Sequence, residues 1–402
     1  MDMSYEVGSK SQASPKKGLL PTLVFCAFSI GPLAVLLSLF LYPIAAEFEV
    51  EVGIMGQVNT FSSVAAVVFA LVMGFLSVRF RHKSLLMTGL LFFAVSSVAC
   101  YLASGFAAML LAYSISGVGL AMVNPMMNAL VGEHFSLDRR ANAVSWTVGA
   151  GALAYVIGPL ALNWLSDFGG WRFSLMGFII PLLFVSLVLA FFGIPSVSRS
   201  QGRVTDQSGV LSGFKAVLSD RSALACLAGD TLRAASFSAV LYYGVAFFME
   251  RFGASTDVGA LILLVAASCY TFGSLISGRF VDRVGRKPFT AMTALLAGAF
   301  TVSFVLVPSF SFSLLLNLVA AFVFGMFTAA AISLTLEQVP AYRGTMMSVD
   351  SAFVNLGYAL GAAVGGVTLL WFRYEGLGIT LGLFGIVAAV VFYLFARDPT
   401  RN

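Results

Sequence analysis

Three ionisable side chains stand deep inside long apolar runs: Asp230, Arg233 and Asp350. A charge at the centre of a bilayer costs about 2.5–3.5 kcal/mol on insertion scales, so such residues face a cavity or one another. Asp230 and Arg233 are three positions apart, which places them as neighbours on one helix face. Their chemistry is that of a carboxyl able to take and release a proton, beside a guanidinium able to hold a carboxylate. Asp350, on a separate apolar run, can compete for Arg233. At about 1.5 Å of rise per residue, Asp230 lies roughly 12 Å from the nearer helix end, Arg233 roughly 16 Å and Asp350 roughly 8 to 9 Å. Two readings stay open: a site that couples protons to an anionic solute, or a static ion pair fixing one helix against another, with Asp350 snorkelling to the membrane face.

The same runs carry amides and aromatics that would give a neutral polar path. In the first half these are Gln57, Asn59, Tyr113, Asn124, Asn128, Trp146, Tyr155 and Asn163, and in the second Tyr242, Tyr243, Tyr270, Asn317, Asn355 and Tyr358. Each serves equally well as a hydrogen bond between helices. No metal or cofactor spacing accompanies them. His82 and His134 fall beside polar chain ends, and Cys26, Cys100, Cys226 and Cys269 each sit in an apolar run as small hydrophobes. The phosphate-binding loop G-x-x-x-x-G-K-[ST] is absent, which excludes an ATP-driven pump within this chain.

The elements that must position these groups follow from composition. The chain has 402 residues, 59% hydrophobic and 10% charged, whereas an ordinary soluble domain carries about 25% charged residues. A soluble enzyme is excluded, and the basic residues form no patch that would take nucleic acid. Apolar runs of membrane-spanning length lie at Leu19–Leu41, Ile54–Val78, Leu85–Ala103, Ala107–Val131, Asn142–Leu165 and Phe173–Gly193. Six more lie at Ser222–Met249, Val258–Phe280, Phe289–Val307, Phe312–Leu336, Thr345–Trp371 and Gly376–Ala396. The first is too long for a signal-peptide core and reads as a retained helix. With twelve crossings, nineteen of the 23 Lys and Arg fall on one side, three on the other, and Arg233 lies within. The positive-inside rule then places both termini in the cytoplasm and the chain in the cell membrane, where a monomer is expected to suffice.

Residues 1–18 read as a cytoplasmic tail, 19–193 as a six-helix bundle, 194–221 as a cytoplasmic linker, 222–396 as a second bundle and 397–402 as a tail. The halves are duplicates. An offset of 204 places Gly74, Arg79 and Lys83 on Gly278, Arg283 and Lys287, and an offset of 203 places Arg140, Leu153 and Gly158 on Arg343, Leu356 and Gly361. The fold expected is an all-α membrane protein, with twelve transmembrane helices in two six-helix repeats and a solute site between the halves.

The run Gly278-Arg279-Phe280-Val281-Asp282-Arg283-Val284-Gly285-Arg286-Lys287 resembles the G-x-x-x-D-R-x-G-R-K loop of the major facilitator superfamily at every defined position. The first-half copy keeps Gly74, Arg79 and Lys83, with Val78 and Arg81 where the acid and second glycine belong. The resemblance implies a gating loop in which Asp282 and the arginines clasp facing helix ends; the alternative is a basic cluster that only obeys the positive-inside rule. Gly149, Gly151 and Gly158-Pro159 are similar to the fifth-helix pattern of the twelve-helix drug and metabolite efflux branch, although Leu162 and Asn163 replace a later glycine pair. Tyr113 stands where that branch has a fourth-helix arginine tied to proton coupling, so that role does not transfer. Gly357 and Gly361 begin a small-residue stripe in the eleventh helix, for tight packing or for bending. The resemblance implies a secondary transporter working by alternating access, with proton-coupled efflux of a small organic solute expected. An uptake symporter or facilitator for a small organic anion is the alternative, and a membrane sensor or lipid-moving protein a minor one.

Overall fold

In the computed structural model, the structure describes residues 18–135, 137–195 and 207–398. The tails 1–17 and 399–402 and the linker residues 196–206 lie outside the described residues, as do the side chains of Gly74, Asp282, Arg139, Arg140 and Arg343. The first half consists of α1 (Leu19–Glu47), α2 (Val52–Arg79), α3 (His82–Tyr101), α4 (Phe106–His134), α5 (Leu137–Ser166) and a sixth crossing. That crossing starts as α6 (Gly170–Ser174), widens into a π-helical turn at Leu175–Ile179 and continues as α7 (Ile180–Gly193). Pro181 in the first turn of α7 cannot donate a backbone bond, and the wider turn precedes it.

The second half begins after a helix within the linker, α8 (Gln207–Ser219), and comprises α9 (Arg221–Leu241), α10 (Gly244–Phe252), α11 (Thr256–Val284), α12 (Arg286–Leu306), α13 (Phe310–Leu336) and α14 (Arg343–Phe395). Among the described residues eleven helical spans are long and apolar enough to cross a membrane. The last of these is two crossings, because Arg373 leaves the helical region with φ 55° and turns the chain back. The count of twelve agrees with the hydropathy reading.

One expected element differs. The seventh crossing is not one continuous helix over 222–249, because it breaks at Tyr242–Tyr243 between α9 and α10. Tyr243 is buried against Gly56 and Gly365 and its hydroxyl donates to the Ala362 carbonyl at 2.7 Å. Tyr242 turns to the bundle interior instead.

The two halves repeat the same joints. A Cβ on Gly117 in α4 would run into the Ser62 carbonyl of α2, and one on Gly325 in α13 into the Tyr270 carbonyl of α11; both pairs are related by an offset of 208 residues. Lipid tails give apolar helices no hydrophobic drive to associate, so this close approach supplies dispersion contact that side chains would prevent. At one end of the bundle, Lys83 Nζ donates to the Phe191 and Ile194 carbonyls at 2.6 and 2.7 Å and lies 5.5 Å from the Phe191 ring centroid. Lys287 lies 5.7 Å from the Tyr393 ring at the same end of the other half. At the far end, Glu47 of α1 accepts from Arg172 and from Trp171 Nε1, while Arg251 of α10 donates to Glu375 of α14 at 2.9 Å. Each half thus ties its first crossing to its last, with the order of charges reversed.

Replacing Gly117 or Gly325 by alanine is expected to destabilise the purified protein by about 1–3 kcal/mol through overpacking. Gly149→Ala, whose Cβ would meet nothing within 4 Å, should leave the thermal midpoint unchanged. Thermal unfolding of the three variants in detergent checks this.

Candidate functional site

A cavity of about 450 Å³ lies inside the bundle. From the first half it is lined by residues of α1, α2, α4 and α5, including Asn59, Ser62, Ser63, Tyr113, Ser116, Asn124, Asn128, Thr147 and Tyr155. The second half contributes Leu241, Tyr242, Asn355 and Tyr358. The lining contains no ionised group. Tyr242 and Tyr358 stand with ring centroids 6.1 Å apart.

The three membrane charges form one cluster directly behind this lining. Arg233 Nε donates to Asp230 Oδ1 at 2.8 Å, and Arg233 Nη1 donates to Thr328 Oγ1 at 3.0 Å. Asp230 Oδ2 accepts from Thr335 Oγ1 at 3.0 Å. Asp350 of α14 faces the Asp230 carboxyl, and its Oδ1 makes no hydrogen bond. Asp230, Arg233 and Asp350 are 0%, 3% and 4% exposed. The Tyr358 hydroxyl faces the Arg233 guanidinium, so a cavity-lining tyrosine is the link between the cluster and the cavity. Two carboxyls and one guanidinium make the cluster electrically neutral when it holds one proton and leave one net negative charge when it holds none.

Of the aromatics and amides singled out in the sequence, Tyr113, Asn124, Asn128, Tyr155, Tyr242, Asn355 and Tyr358 line the cavity. Trp146 is 59% exposed and Asn317 1%, and neither lines it. Tyr270 stacks on Phe237, and Tyr243 is engaged with α14. Gln57 and Asn163 join the halves: Gln57 Nε2 donates to the Ala363 carbonyl at 3.3 Å, and Asn163 Nδ2 to Asp257 Oδ1 at 2.6 Å. Both contacts lie toward the end of the bundle away from the basic loops. A Cβ on Gly53 there would stand 2.5 Å from the Gly366 carbonyl. Ser62, Ser63, Ser116 and Thr147 also line the cavity, and a lone hydroxyl in an apolar run, such as Ser116, which donates to the Tyr113 carbonyl of its own helix, gives no pattern in a sequence.

The glycines separate into two kinds. Gly357 and Gly361 press α14 against α9: their added Cβ atoms would meet the Thr231 and Ala235 carbonyls. Gly158, next to Pro159, packs on Val35 of α1, while Gly149 and Gly278 face open space. In the basic loops, Gly285 has φ 101°, a conformation that glycine adopts without a Cβ penalty. Arg286 reaches Glu337 at 3.6 Å and the Ser333 carbonyl at 3.3 Å, and the Lys287 amide donates to Asp398 at 3.2 Å. These contacts, like those of Lys83, stay within one half.

A sequence profile of the Major Facilitator Superfamily matches residues 23–268 and 231–402. The chain belongs to this superfamily. It is a multi-pass membrane transporter of small solutes and not an enzyme. A probable 4-methylmuconolactone transporter of Cupriavidus pinatubonensis is 26% identical over 370 residues, covering 88% of this chain and 83% of the relative. The cis,cis-muconate transport protein of Acinetobacter baylyi is 26% identical over 379 residues, covering 90% and 88%. Among solved structures, a bacterial homologue of the human lysosomal transporter Spinster, inward-facing and unoccupied, superposes with a TM-score of 0.77 at 18% identity, covering 94% of this chain and 96% of that one. The D-xylose–proton symporter gives a TM-score of 0.77 at 16% identity, covering 95% and 98%. These structures establish the major facilitator fold.

Removing Arg233 alone leaves buried carboxyls without a counter-charge, a loss of about 3–5 kcal/mol. Arg233→Met is therefore expected to lower thermal stability sharply. The double variant Asp230→Asn/Arg233→Met should recover most of the loss, as measured by unfolding of each purified protein.

Proposed function

We propose that this transporter moves small organic anions in coupled exchange or cotransport with protons. Asp230, Arg233 and Asp350 form the coupling site, the cavity beside Tyr155, Tyr242 and Tyr358 takes the solute, and the basic end is cytoplasmic. The observation that carries the reading is the neutral-lined cavity backed, at Tyr358, by two carboxyls sharing one guanidinium. In a low-dielectric interior a cluster left with uncompensated charge is disfavoured. A proton on the carboxyl pair releases part of the demand on Arg233, whose field then attracts a solute carboxylate. Loss of the proton returns Arg233 to the acids and expels the anion. Tyr113 in place of the fourth-helix arginine leaves the second-half cluster as the proton carrier. The solutes named for the two relatives, muconate and 4-methylmuconolactone, are small unsaturated acids or their lactones, and they support an organic acid of that size.

Cotransport is the first reading. Export by proton exchange is the second, and the observation that favours it is the Gly149, Gly151 and Gly158-Pro159 pattern of α5. Under either reading the two six-helix bundles, 19–193 and 222–396, act as the rocking bodies, joined by the 194–221 linker. The loops at Gly74–Lys83 and Gly278–Lys287 then close the cytoplasmic mouth in the opposite state, and a single copy of the chain is sufficient.

The test is solute flux in proteoliposomes carrying an internal pH-sensitive dye, with cis,cis-muconate as the first solute. Cotransport predicts that muconate entry acidifies the lumen and accumulates against its gradient when the lumen is alkaline; exchange predicts accumulation when the lumen is acidic. Asp230→Asn and Asp350→Asn should each lose at least about tenfold of the gradient-driven accumulation while retaining downhill exchange. Wild-type coupling in both variants, or flux indifferent to the gradient, overturns the proton site.

A further inference from the structure

Asn59 lies in α2 on the cavity wall contributed by the first half, across from the wall that holds Tyr358 and Asn355. It is 5% exposed, and its amide nitrogen makes no hydrogen bond. Among the described residues, Asn59 is the one cavity-lining residue with a buried, unpaired side-chain donor. Its neighbours do not satisfy it. Ser62 and Ser116 bond to each other at 3.2 Å across α2 and α4, and Ser116 also donates to the Tyr113 carbonyl at 2.6 Å. A buried amide that forgoes water without a protein partner is held at a cost that packing alone does not explain, because a leucine would fill the same space without it. Such a donor can serve an acceptor brought by the solute once a turn of the side chain brings the enclosed nitrogen to the cavity.

We infer that Asn59 is a specificity-determining residue that donates to a second carboxylate of the solute, making this a transporter with a preference for dicarboxylates over monocarboxylates. The inference rests on the organic-anion reading above and narrows it. One carboxylate goes to the Tyr358 side, where the Arg233 guanidinium stands behind the tyrosine and a proton on the acid pair frees part of its charge. The other goes to Asn59, where a neutral donor meets it with Asn124 and Ser63 on the same wall. The solute then bridges the two halves, and each half supplies a donor of a different kind. A monocarboxylate of the same length satisfies Arg233 but leaves the Asn59 amide unpaired, and a site built to bond a polar group rejects an analogue that lacks it.

The experiment compares cis,cis-muconate with sorbate, a six-carbon dienoic acid with a methyl group where muconate has its second carboxylate. Uptake kinetics are measured in proteoliposomes for wild type, Asn59→Leu and Asn59→Asp. Wild type is expected to show the lower KM for muconate. Asn59→Leu should raise the muconate KM about tenfold or more, the usual worth of one hydrogen bond to a charged group. It should leave the sorbate KM and both maximal rates within about twofold, so the preference reverses. Asn59→Asp should abolish muconate binding by charge repulsion and spare sorbate. If Asn59→Leu does not fold, Asn59→Ser is measured in its place with the same expectation. Parallel changes for both acids, or no change for either, overturn the role of Asn59 while leaving organic-anion transport intact. A wild type that carries neither acid overturns the anion reading itself, and the Asn59 role with it.

Discussion

A bilayer interior offers no water to a peptide group, an amide or a charge, so whatever the chain places there must be satisfied by the chain or by a solute. The helices satisfy their own backbones. Side-chain hydroxyls mostly follow suit by bonding to the preceding turn, as Thr301 does to Ala297 and Thr328 to Phe324. Charges have no such local solution. Asp230 and Arg233 close on each other at 2.8 Å, and Thr328 and Thr335 take up two of the remaining valences. Among the described residues five buried side-chain atoms are left without a partner, His134 Nε2, Ser236 Oγ, Asn317 Nδ2, Asp350 Oδ1 and the Asn59 amide nitrogen; Asp350 stands beside the cluster and Asn59 on the cavity wall. The last two are the ones that the proposed coupling and solute sites would use.

The same constraint explains how the helices stay together. Burying apolar surface gains little when lipid is equally apolar, so the joints depend on closeness and on polar ties at the ends. Gly117 and Gly325 let α2 meet α4 and α11 meet α13 with backbone against backbone in each half. Glu47 with Arg172, and Arg251 with Glu375, fasten the first crossing of each half to its last. The reversal of charge between these pairs shows that duplication preserved the joint rather than the residues. Among the described residues the ties between the halves include Gln57 to a carbonyl, Asn163 to Asp257, and a glycine contact at Gly53 and Gly366. Ion pairs at the ends inside each half, and amide and glycine contacts between them, are the arrangement that the proposed rocking of the halves would use.

The twelve crossings, the duplication and the three membrane charges were legible in the sequence, because hydropathy, an offset match and a charge in an apolar run each have one physical cause. Which face a residue occupies was not legible. In a helix that is apolar all round, core and lipid look alike, so Trp146 and Asn124 were equivalent candidates although only Asn124 lines the cavity. Amphipathic periodicity, which settles this for a soluble helix, is lost when lipid replaces water. For Gln57 and Asn163 the sequence leaves a cavity contact and a bond between helices equally open; both are ties between halves, since an amide's partner depends on the neighbouring helix and not on its own spacing. Trp171 and Arg172 both donate to Glu47, contacts 124 and 125 residues apart that no local pattern announces. The break between Tyr242 and Tyr243 had no proline or glycine pair to signal it; the two tyrosines split because one is held by Ala362 and the other by the cavity.

That break bears on how the charge cluster moves. Gly357 and Gly361 bring α14 against the backbone of α9 at Thr231 and Ala235, and the Thr231 hydroxyl donates to the Phe353 carbonyl at 3.1 Å. Asp230 and Arg233 on α9 and Asp350 on α14 are therefore carried on two helices that cannot slide past each other without losing backbone contact. The proposed exchange of Arg233 between the acids would therefore use side-chain rotation and not separation of the helices. Beyond the break, α10 is buried along Val245–Met249 and is held at its other end by Arg251 on Glu375 and by Tyr374 on Glu250. Under the proposed rocking of the halves, what would change for the cluster is its access through Tyr358 to the cavity, whose far wall belongs to the other half. Gating by access needs only that one wall move relative to the other, and it leaves the costly burial of three charges undisturbed through the cycle.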